Sequence, residues 1–515
     1  MHLPNLEHQY PKLPAPLPIC HGHVGAAEWS EIATAVAESG GRLVSLWGSD
    51  RRWADGSMAV CAAYATTAGL FWIDQPLSPG APSYVDIARH FPAANRMQRA
   101  AYDLLGLVAV GNPDKRPWLR HAAWPADYFP LRQNHSGKEI HPLEADNYEF
   151  VTVEGDGVHE IPVGPVHAGI IEPGHFRFSI VGEPVLRLEE RLGYKHKGIE
   201  KRFVGMSIEE GLKLAGRISG DSTCAYAWAY CMAAESVTNC QIPEPAEWLR
   251  ALILERERVA NHLGDLGALG NDAALGFGLA QFMRLKELWL RLNGELFGHR
   301  FMMDSLCPGG VQNALDINAL DRIRTQCDLI EKEVRNLKTI YDEHAGLQDR
   351  FVTLGRVTTK RAAQLGLTGM AGRASGLNID LRRGFGWQPY DQLKFNIASH
   401  CNGDVAARAL IRFEELFESL RLIREIATRL PEGPVRCKLE TTQKTTHGVG
   451  WVEGWRGEVL VALEVDADGH IRRCHCHDPS WQNWPALEHA IIGDIVPDFP
   501  LINKSFNLSY SGQDL

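Results

Sequence analysis

Residues 323–341, which read IRTQCDLIEKEVRNLKTIY, decide the fold class of this chain. Their apolar residues, from Ile323 to Tyr341, recur at alternating spacings of four and three, so they share one face of an α-helix. The same spacing returns between Phe413 and Leu430, and Pro245 opens a third stretch of this kind. Because each apolar face has to be covered by another helix, the sequence predicts a helix bundle as the main core.

A mixed pattern precedes the bundle. Short β-like runs alternate with helical stretches near 84–90 and 95–105, and the polar segment 133–138 is typical of a linker. Strand-like patterning also leads into the long helices and returns after them. The sequence therefore predicts an α+β fold in two units: an α+β domain over residues 1–135 and a mostly helical bundle domain with peripheral β-strands over residues 145–515.

Composition narrows the classes of partner. The chain has 515 residues and a net charge of −10, and no basic tract stands out, so the sequence predicts no nucleic-acid partner. Its longest uncharged run, Gly56 to Ile73, is short for a bilayer and contains small polar residues near its middle. Two strands joined at Thr66–Gly69 are therefore favoured over a membrane span. We expect any membrane contact to run through partner subunits.

The cysteines favour a reducing compartment. There are eleven, scattered along the chain, and the N-terminus lacks the basic and apolar pattern of an export signal. We therefore expect a cytoplasmic location without disulfides. The one local cluster, Cys474 to His477, is predicted to be structural, because on a strand its cysteines and its histidines face opposite ways.

Two short segments have the most specific chemical outline. The first reads Arg217-Ile218-Ser219-Gly220-Asp221-Ser222, which is Arg-x-Cys-Gly-x-Cys with serine at both cysteine positions. The second reads Asp478-Pro479-Ser480-Trp481-Gln482-Asn483, which is Asp-Pro-Cys-x-x-Cys with serine and asparagine at the cysteine positions. Gly193 to Lys201 adds a third motif, Gly-Tyr-x-His-x-Gly-Ile-Glu-Lys. Shorter motifs follow this third motif, in order, at Cys307–Val311, Arg373–Gly376 and Arg456–Glu458. Others precede it at Ala101–Gly106, Gly111–Asp114 and Pro130–Arg132.

With these motifs in this order, the chain resembles the large subunit of complex I-like membrane complexes related to energy-converting nickel-iron hydrogenases. The first block resembles the small hydrophilic subunit, fused in front. The resemblance implies a hydrogenase large subunit-like fold on the cytoplasmic side of the cell membrane. It also implies two kinds of partner, a small subunit that carries an iron-sulfur cluster and integral membrane subunits. The activity implied is the coupling of electron transfer to proton or ion movement.

The chain departs from both sides of this family. Thiolates hold nickel and the iron it bridges, and hydroxyls and an amide cannot replace their soft sulfur, so we expect no nickel or other metal at these positions. On the complex I side, His167 matches the first of two histidines in a quinone-contacting turn, Ile171 replaces the second, and Gly220 stands where that family has a tyrosine. A quinone therefore remains only a possible ligand.

The resemblance also assigns candidate roles to polar residues. Glu172 matches a glutamate that carries protons, Arg456 an arginine above the metal centre, and Asp478 an acidic neighbour. We expect these three residues to line one cavity that could take a quinone or another small acceptor, with further lining from His167, Arg217, Ser219, Ser222 and Ser480. From the residues alone, Glu172 could equally form an ion pair with Arg177 or Arg217, and Ser219 could be a helix cap.

Three functions follow from these observations. The first is a nickel-free subunit that couples electron and proton transfer; the second is a non-catalytic scaffold that transmits conformational change between partners. The third, an active nickel-iron hydrogenase, would need thiolates from elsewhere, such as Cys224, Cys474 and Cys476. A polar cavity favours the first function and a filled site favours the second. The apolar run 495–502 further predicts that the C-terminal end packs against this site.

Overall fold

The computed structural model describes residues 10–142, 144–167, 171–440 and 446–515. The part before residue 142 is built around a mixed sheet with one helix packed on it. Its elements are β1 (Ile19–His23), α1 (Ala26–Glu38), β2 (Arg42–Arg51), β3 (Ser57–Thr66), β4 (Gly69–Leu77), β5 (Ser83–Val85), α2 (Ala94–Leu105) and β6 (Val108–Val110).

The N-terminal sheet has the strand order β1-β4-β3-β2. Its β2–β3 and β3–β4 pairs are antiparallel and its β1–β4 pair is parallel, which confirms the two strands predicted between Gly56 and Ile73. The helix predicted near 84–90 is wrong, because these residues form β5 and turns. Asp86 accepts a hydrogen bond from the backbone N–H of Ala88 at 2.9 Å, and this local bond competes with helix formation.

The rest of the chain is mostly helical, with three small sheets. Its elements are β7 (Val158–Val163), β8 (His175–Val181), β9 (Val185–Arg191), α3 (Ile199–Phe203), α4 (Ile208–Ala215), α5 (Thr223–Thr238), α6 (Glu244–Asp272), α7 (Gly276–Phe297), β10 (Leu306–Cys307), β11 (Gly310–Val311), α8 (Ile317–Glu343), α9 (Ala345–Phe351), α10 (Thr359–Leu365), α11 (Gly369–Ala374), α12 (Leu381–Gly384), α13 (Val405–Arg429), β12 (Thr446–Glu453), β13 (Glu458–Val465), β14 (Ile471–His477), α14 (Ser480–Ala490), α15 (Phe499–Phe506) and α16 (Tyr510–Asp514).

The predicted bundle is confirmed. Helices α6, α7, α8 and α13 pack together, and the apolar stripes from Ile323 to Tyr341 and along α13 face inward. Helix α5 is buried on nearly every side, between the bundle and the sheet β12–β13. Gly450 permits this close packing, since a Cβ atom there would lie 1.8 Å from the carbonyl oxygen of Ala229.

The N-terminal sheet packs directly on the sheet β12-β13-β14. Ser45 Oγ lies 2.7 Å from His475 Nε2, and Ser49 donates to Glu464 at 2.8 Å. On β14 the sulfur atoms of Cys474 and Cys476 lie 3.6 Å apart, while His475 contacts Glu200, so the cysteines and the histidines of this strand face opposite ways as predicted. The structural role of the cluster stays a prediction. The division into two units near residues 133–145 stays a prediction. Over the described ranges, no helix is long and apolar enough to cross a membrane.

Candidate functional site

The two serine-containing segments come together at the starts of two helices. Ser219 and Ser222 lie in the short 3₁₀ turn before α5, and Ser480 and Asn483 lie in the first turn of α14. We call these four residues the serine frame. All four are buried. Asn483 is held by the backbone of Thr368, to which it donates at 3.3 Å and from which it accepts at 3.2 Å.

The C-terminal tail, residues 507–515, lies between the two halves of the frame. The hydroxyl of Ser509 is 2.9 Å from that of Ser219, and the backbone N–H of Ser509 donates to Ser480 Oγ at 2.9 Å. The indole N–H of Trp484 donates to the carbonyl oxygen of Ser509 at 3.2 Å. These bonds confirm that the end of the chain packs against this site, and they place a third serine between the two predicted ones.

Arg456 closes the frame from the turn between β12 and β13. Its guanidinium donates to Asp221 Oδ1 at 2.8 Å, to Ser222 Oγ at 3.2 Å and to the carbonyl oxygen of Asn507 at 2.6 Å. Burial works against its charge, but the carboxylate of Asp221 more than compensates and raises the pKa of Arg456. Arg456 therefore stays charged and ties the tail to the loop before α5.

Asp478 forms the floor of the frame and is fully buried. One carboxylate oxygen accepts from the hydroxyl of Tyr226 at 2.9 Å, and the other accepts from the backbone N–H of Ser480 at 2.9 Å. Burial raises the pKa of Asp478. A Cβ atom at Gly512 would lie 2.3 Å from this carboxylate, so only glycine lets the tail approach so closely.

Glu172 binds the same tail further along. Its carboxylate accepts from the backbone N–H of Ser511 at 3.0 Å and also from the Ser511 hydroxyl, and Lys195 Nζ lies 3.9 Å away. Within the described ranges no arginine forms an ion pair with Glu172, so the alternative pair with Arg177 or Arg217 is wrong. Glu172 and Arg456 each hold a different point of the tail.

His167 also meets the tail. Its Nε2 atom lies 3.4 Å from the hydroxyl of Tyr510, and its ring packs edge-on against Phe176. Burial lowers the pKa of His167. The next three residues of the quinone-turn resemblance, 168–170, lie outside the described residues. A tyrosine from the tail thus accompanies the matching histidine.

The end of the tail is bound by the third motif. The backbone N–H groups of Gly193 and Lys195 donate to the Asp514 carboxylate at 2.9 and 2.8 Å, and His196 Nδ1 lies 2.7 Å from its carbonyl oxygen. Burial raises the pKa of the Asp514 carboxyl to about 7. The Gly-Tyr-x-His sequence therefore binds the tail of the same chain through Asp514.

Comparison with known proteins agrees with this architecture. Residues 23–140 match the model of the respiratory-chain NADH dehydrogenase 30 Kd subunit, and residues 275–448 match that of the 49 Kd subunit. Formate hydrogenlyase subunit 5 of Escherichia coli K12 is 30% identical over 485 residues, which cover 93% of this chain and 85% of that protein. The chain belongs to the family of complex I and hydrogenase-related large subunits.

In this family the 30 Kd and 49 Kd parts also occur fused, as in the C/D fusion protein of the NADH-quinone oxidoreductase of Bacteroides fragilis. That protein is 27% identical over 77% of this chain and 78% of its own length.

A solved structure shares the fold. It belongs to the membrane-bound sulfane sulfur reductase, an archaeal respiratory membrane complex, and it superimposes with a TM-score of 0.66. The match is 24% identical and covers 70% of this chain and 99% of the other. The complex I and hydrogenase-related large-subunit fold predicted from the motifs is therefore confirmed.

Arg217 departs from the predicted arrangement. Its two terminal nitrogen atoms donate to the two carboxylate oxygens of Asp304, each at 2.7 Å, and both side chains are exposed. Arg217 therefore faces outward and does not line a cavity with Ser219. The reason is this bidentate partner, which lies outside every motif and so gives no signal in them.

Two further buried carboxyls, one on α6 and one at the end of β12, were not predicted from the sequence. Glu257 of α6 accepts from the backbone N–H groups of Cys224 and Ala225 at 2.6 and 3.2 Å, and burial raises its pKa to about 8. Glu453 precedes the Arg456 turn, and burial raises its pKa to about 7. Raised pKa values occur at groups that exchange protons and also in structural ion-pair networks, such as the one that joins Glu453 to Arg373.

Proposed function

We propose that this chain is the nickel-free large subunit of a membrane-associated, complex I-like oxidoreductase that couples electron transfer to proton or ion movement. The closed serine frame carries the nickel-free part of this proposal, and the family to which the chain belongs supports the coupling role. Ser219 and Ser480 bond Ser509, Ser222 accepts from Arg456, and Asn483 bonds a backbone. These hydroxyl and amide donors are already paired with protein groups, and none has the soft sulfur that nickel and iron require.

The proton path of this proposal runs along the tail. Glu172 binds Ser511, and Asp478 lies under Gly512, so two carboxyl groups border one short segment. Half-buried Glu172 reaches solvent while Asp478 is enclosed. A proton taken up at Glu172 would pass inward over the hydroxyls of the tail. His167 and Tyr510 form the polar pair at which a quinone or another small acceptor would bind.

The proposed partners are an iron-sulfur subunit and integral membrane subunits, on the cytoplasmic side of the cell membrane. The support comes from the relatives, since the matching archaeal structure is a respiratory membrane complex. Exposed apolar side chains beside the His167 turn support a contact there, since Val166 is 83% exposed and Ile171 37%. Single exposed apolar residues are common, but two that flank a polar site suit a partner surface.

A second candidate is a scaffold that transmits conformational change. It is favoured by the fact that the tail fills the frame, and by the buried ion pairs behind it. Arg373 of α11 donates to Glu415 of α13 and to Glu453 of β12, each at 2.8 Å. Such pairs link helices and sheet rigidly, so that a displacement at one end would be carried to the other.

Metal analysis of the purified intact complex tests the first proposal. We expect iron from the partner subunit but no stoichiometric nickel, and no hydrogen uptake with a dye acceptor. Stoichiometric nickel or hydrogen uptake would overturn the proposal of a nickel-free subunit.

A pair of variants separates the coupling role from the scaffold role. Glu172→Gln keeps the shape of the side chain but removes the carboxyl group that can take up and release a proton. We expect the variant to assemble normally while losing the proton uptake that is linked to turnover. Glu160→Gln, on the exposed Arg177 pair of β7, is the matched control. If Glu172→Gln turns over and takes up protons normally, the relay fails and the scaffold is favoured.

A further inference from the structure

A cluster of metal-ligating side chains lies in the N-terminal sheet, away from the serine frame. In the parallel pair β1–β4, His23 stands directly opposite Asp74, and His21 lies two residues earlier on the same face. His21 Nε2 is 2.6 Å from Asp74 Oδ1, and His23 Nδ1 is 2.7 Å from Asp74 Oδ2. One donor atom from each of the three residues lies within 4.8 Å of the other two.

The cluster has an anchored interior and an open side. Asp74 is fully buried and His21 is nearly so, whereas the side chain of His23 is 61% exposed. An ion could therefore reach the donors from solvent past His23. Trp72 and His447 cover the other side of His21, with ring centroids 4.5 and 4.6 Å from its own. His447 brings a third imidazole to the cluster from the sheet β12–β13.

The surroundings hold the carboxylate in place. Arg51 bonds Asp74 and also donates to Glu464 at 2.8 Å, and Ser49 donates to the other oxygen of Glu464. Ligating carboxylates in metal sites are themselves hydrogen-bonded in this way.

We propose that His21, His23 and Asp74 bind one divalent transition-metal ion, such as Zn²⁺. Two of the three donors are imidazole nitrogens, which suit zinc and its neighbours, whereas magnesium and calcium prefer oxygen. Three protein ligands leave a fourth position, which water can take. Because Arg51 bonds both Asp74 and Glu464 of β13, the ion would lie in a network that joins the N-terminal sheet to the sheet β12–β13.

Metal titration of the purified full-length chain tests the site. After treatment with a chelator, added Co²⁺ should give the visible absorption of a tetrahedral nitrogen and oxygen site, saturate at one ion per chain and be displaced by Zn²⁺. His23→Ala should weaken binding by more than the roughly 10–100-fold that loss of an outer-shell partner causes. His159→Ala, at an exposed histidine of β7, should bind as the unchanged chain does.

A second measurement needs no variant. Zn²⁺ should protect the exposed His23, but not the exposed His159, from a histidine-directed reagent, as mapped by mass spectrometry of peptides. Absence of saturable binding, unchanged affinity in His23→Ala, or equal loss in His159→Ala would each overturn the proposal. So would unchanged modification of His23 in the presence of the ion.

Discussion

The buried ion pairs around Arg373 and the serine frame both hold together segments that are distant in sequence, but they do so with different chemistry. In both regions, segments distant in sequence meet in the interior. Around Arg373 the contacts are charge pairs to Glu415, Glu453 and Asp380. In the frame, by contrast, the two halves are bridged by neutral hydrogen bonds to Ser509, beside the ion pair of Arg456 with Asp221. Breaking a buried ion pair leaves an uncompensated charge and costs about 3–5 kcal/mol. A neutral hydrogen bond contributes only about 0.5–1.5 kcal/mol.

The difference indicates which region is rigid and which can be adjusted. The ion-pair region should hold the bundle and the sheet in one arrangement. The tail, by contrast, is held by many modest contacts, so small changes in its residues or in pH should shift its docking without unfolding the bundle. Substitutions in each region can separate these two behaviours.

Arg373→Met should have the largest effect. It removes the cation but keeps an unbranched apolar side chain, and it leaves the buried carboxyl groups of Glu415 and Glu453 without this partner. We expect a loss of about 3–5 kcal/mol in the free energy of unfolding, seen as a lower urea midpoint. Arg335→Met is the matched control, because its pair with Glu331 is on the surface and its side chain is 62% exposed. That control should cost about 0–1 kcal/mol. Equal losses in both variants would contradict the comparison.

Gly512→Ala should come next, and it should act on the tail alone. The added methyl group would lie 2.3 Å from the Asp478 carboxylate, so the tail has to shift, at a cost of about 1–3 kcal/mol. We expect residues 507–515 to become accessible to carboxypeptidase while the urea midpoint of the bundle changes little. Gly220→Ala in the same site is the control, because a Cβ atom there meets no atom within 4 Å. A tail that stays protected in Gly512→Ala would show that the docking is looser than the contacts indicate.

A dependence of docking on pH should follow from Asp514. Burial raises the pKa of its carboxyl to about 7 in the docked tail, against about 3.9 for a free aspartate. A raised pKa means that the docked form binds the proton more tightly. Its contribution is therefore full below about pH 4 and is lost as the pH rises through about 7.

Hydrogen exchange of residues 507–515 measures this effect. Once rates are corrected for intrinsic exchange, protection should fall between about pH 4 and about pH 7, the window that the two pKa values define. Asp514→Asn should flatten this dependence, because the amide cannot titrate. The same slope in Asp514→Asn would assign the effect to another group, such as Glu257.

Sequence reasoning succeeded where the signal was local. Stripes such as Ile323 to Tyr341 bury one face, so their period is visible in the residues themselves. Helix α5 was missed because it is buried all round and shows no period. In the site, the motifs brought Ser219, Ser480 and Arg456 together correctly. Ser509 and the outward turn of Arg217 depend on contacts between residues far apart in sequence, and such contacts leave no pattern in a single sequence.

Ser509→Ala should have the smallest effect, and it tests the frame most directly. The change removes the hydroxyl contact with Ser219 and the cap that accepts from the backbone N–H of Gly512 at 2.9 Å. We expect about 0.5–1.5 kcal/mol, seen as faster hydrogen exchange in the tail. A double-mutant cycle with Ser219→Ala isolates the contact itself, since the cap is lost in both arms that contain Ser509→Ala. If the two changes add without coupling, the hydroxyls do not interact. The closed frame would then depend on Arg456 and on the hydrogen bond from the backbone N–H of Ser509 to Ser480.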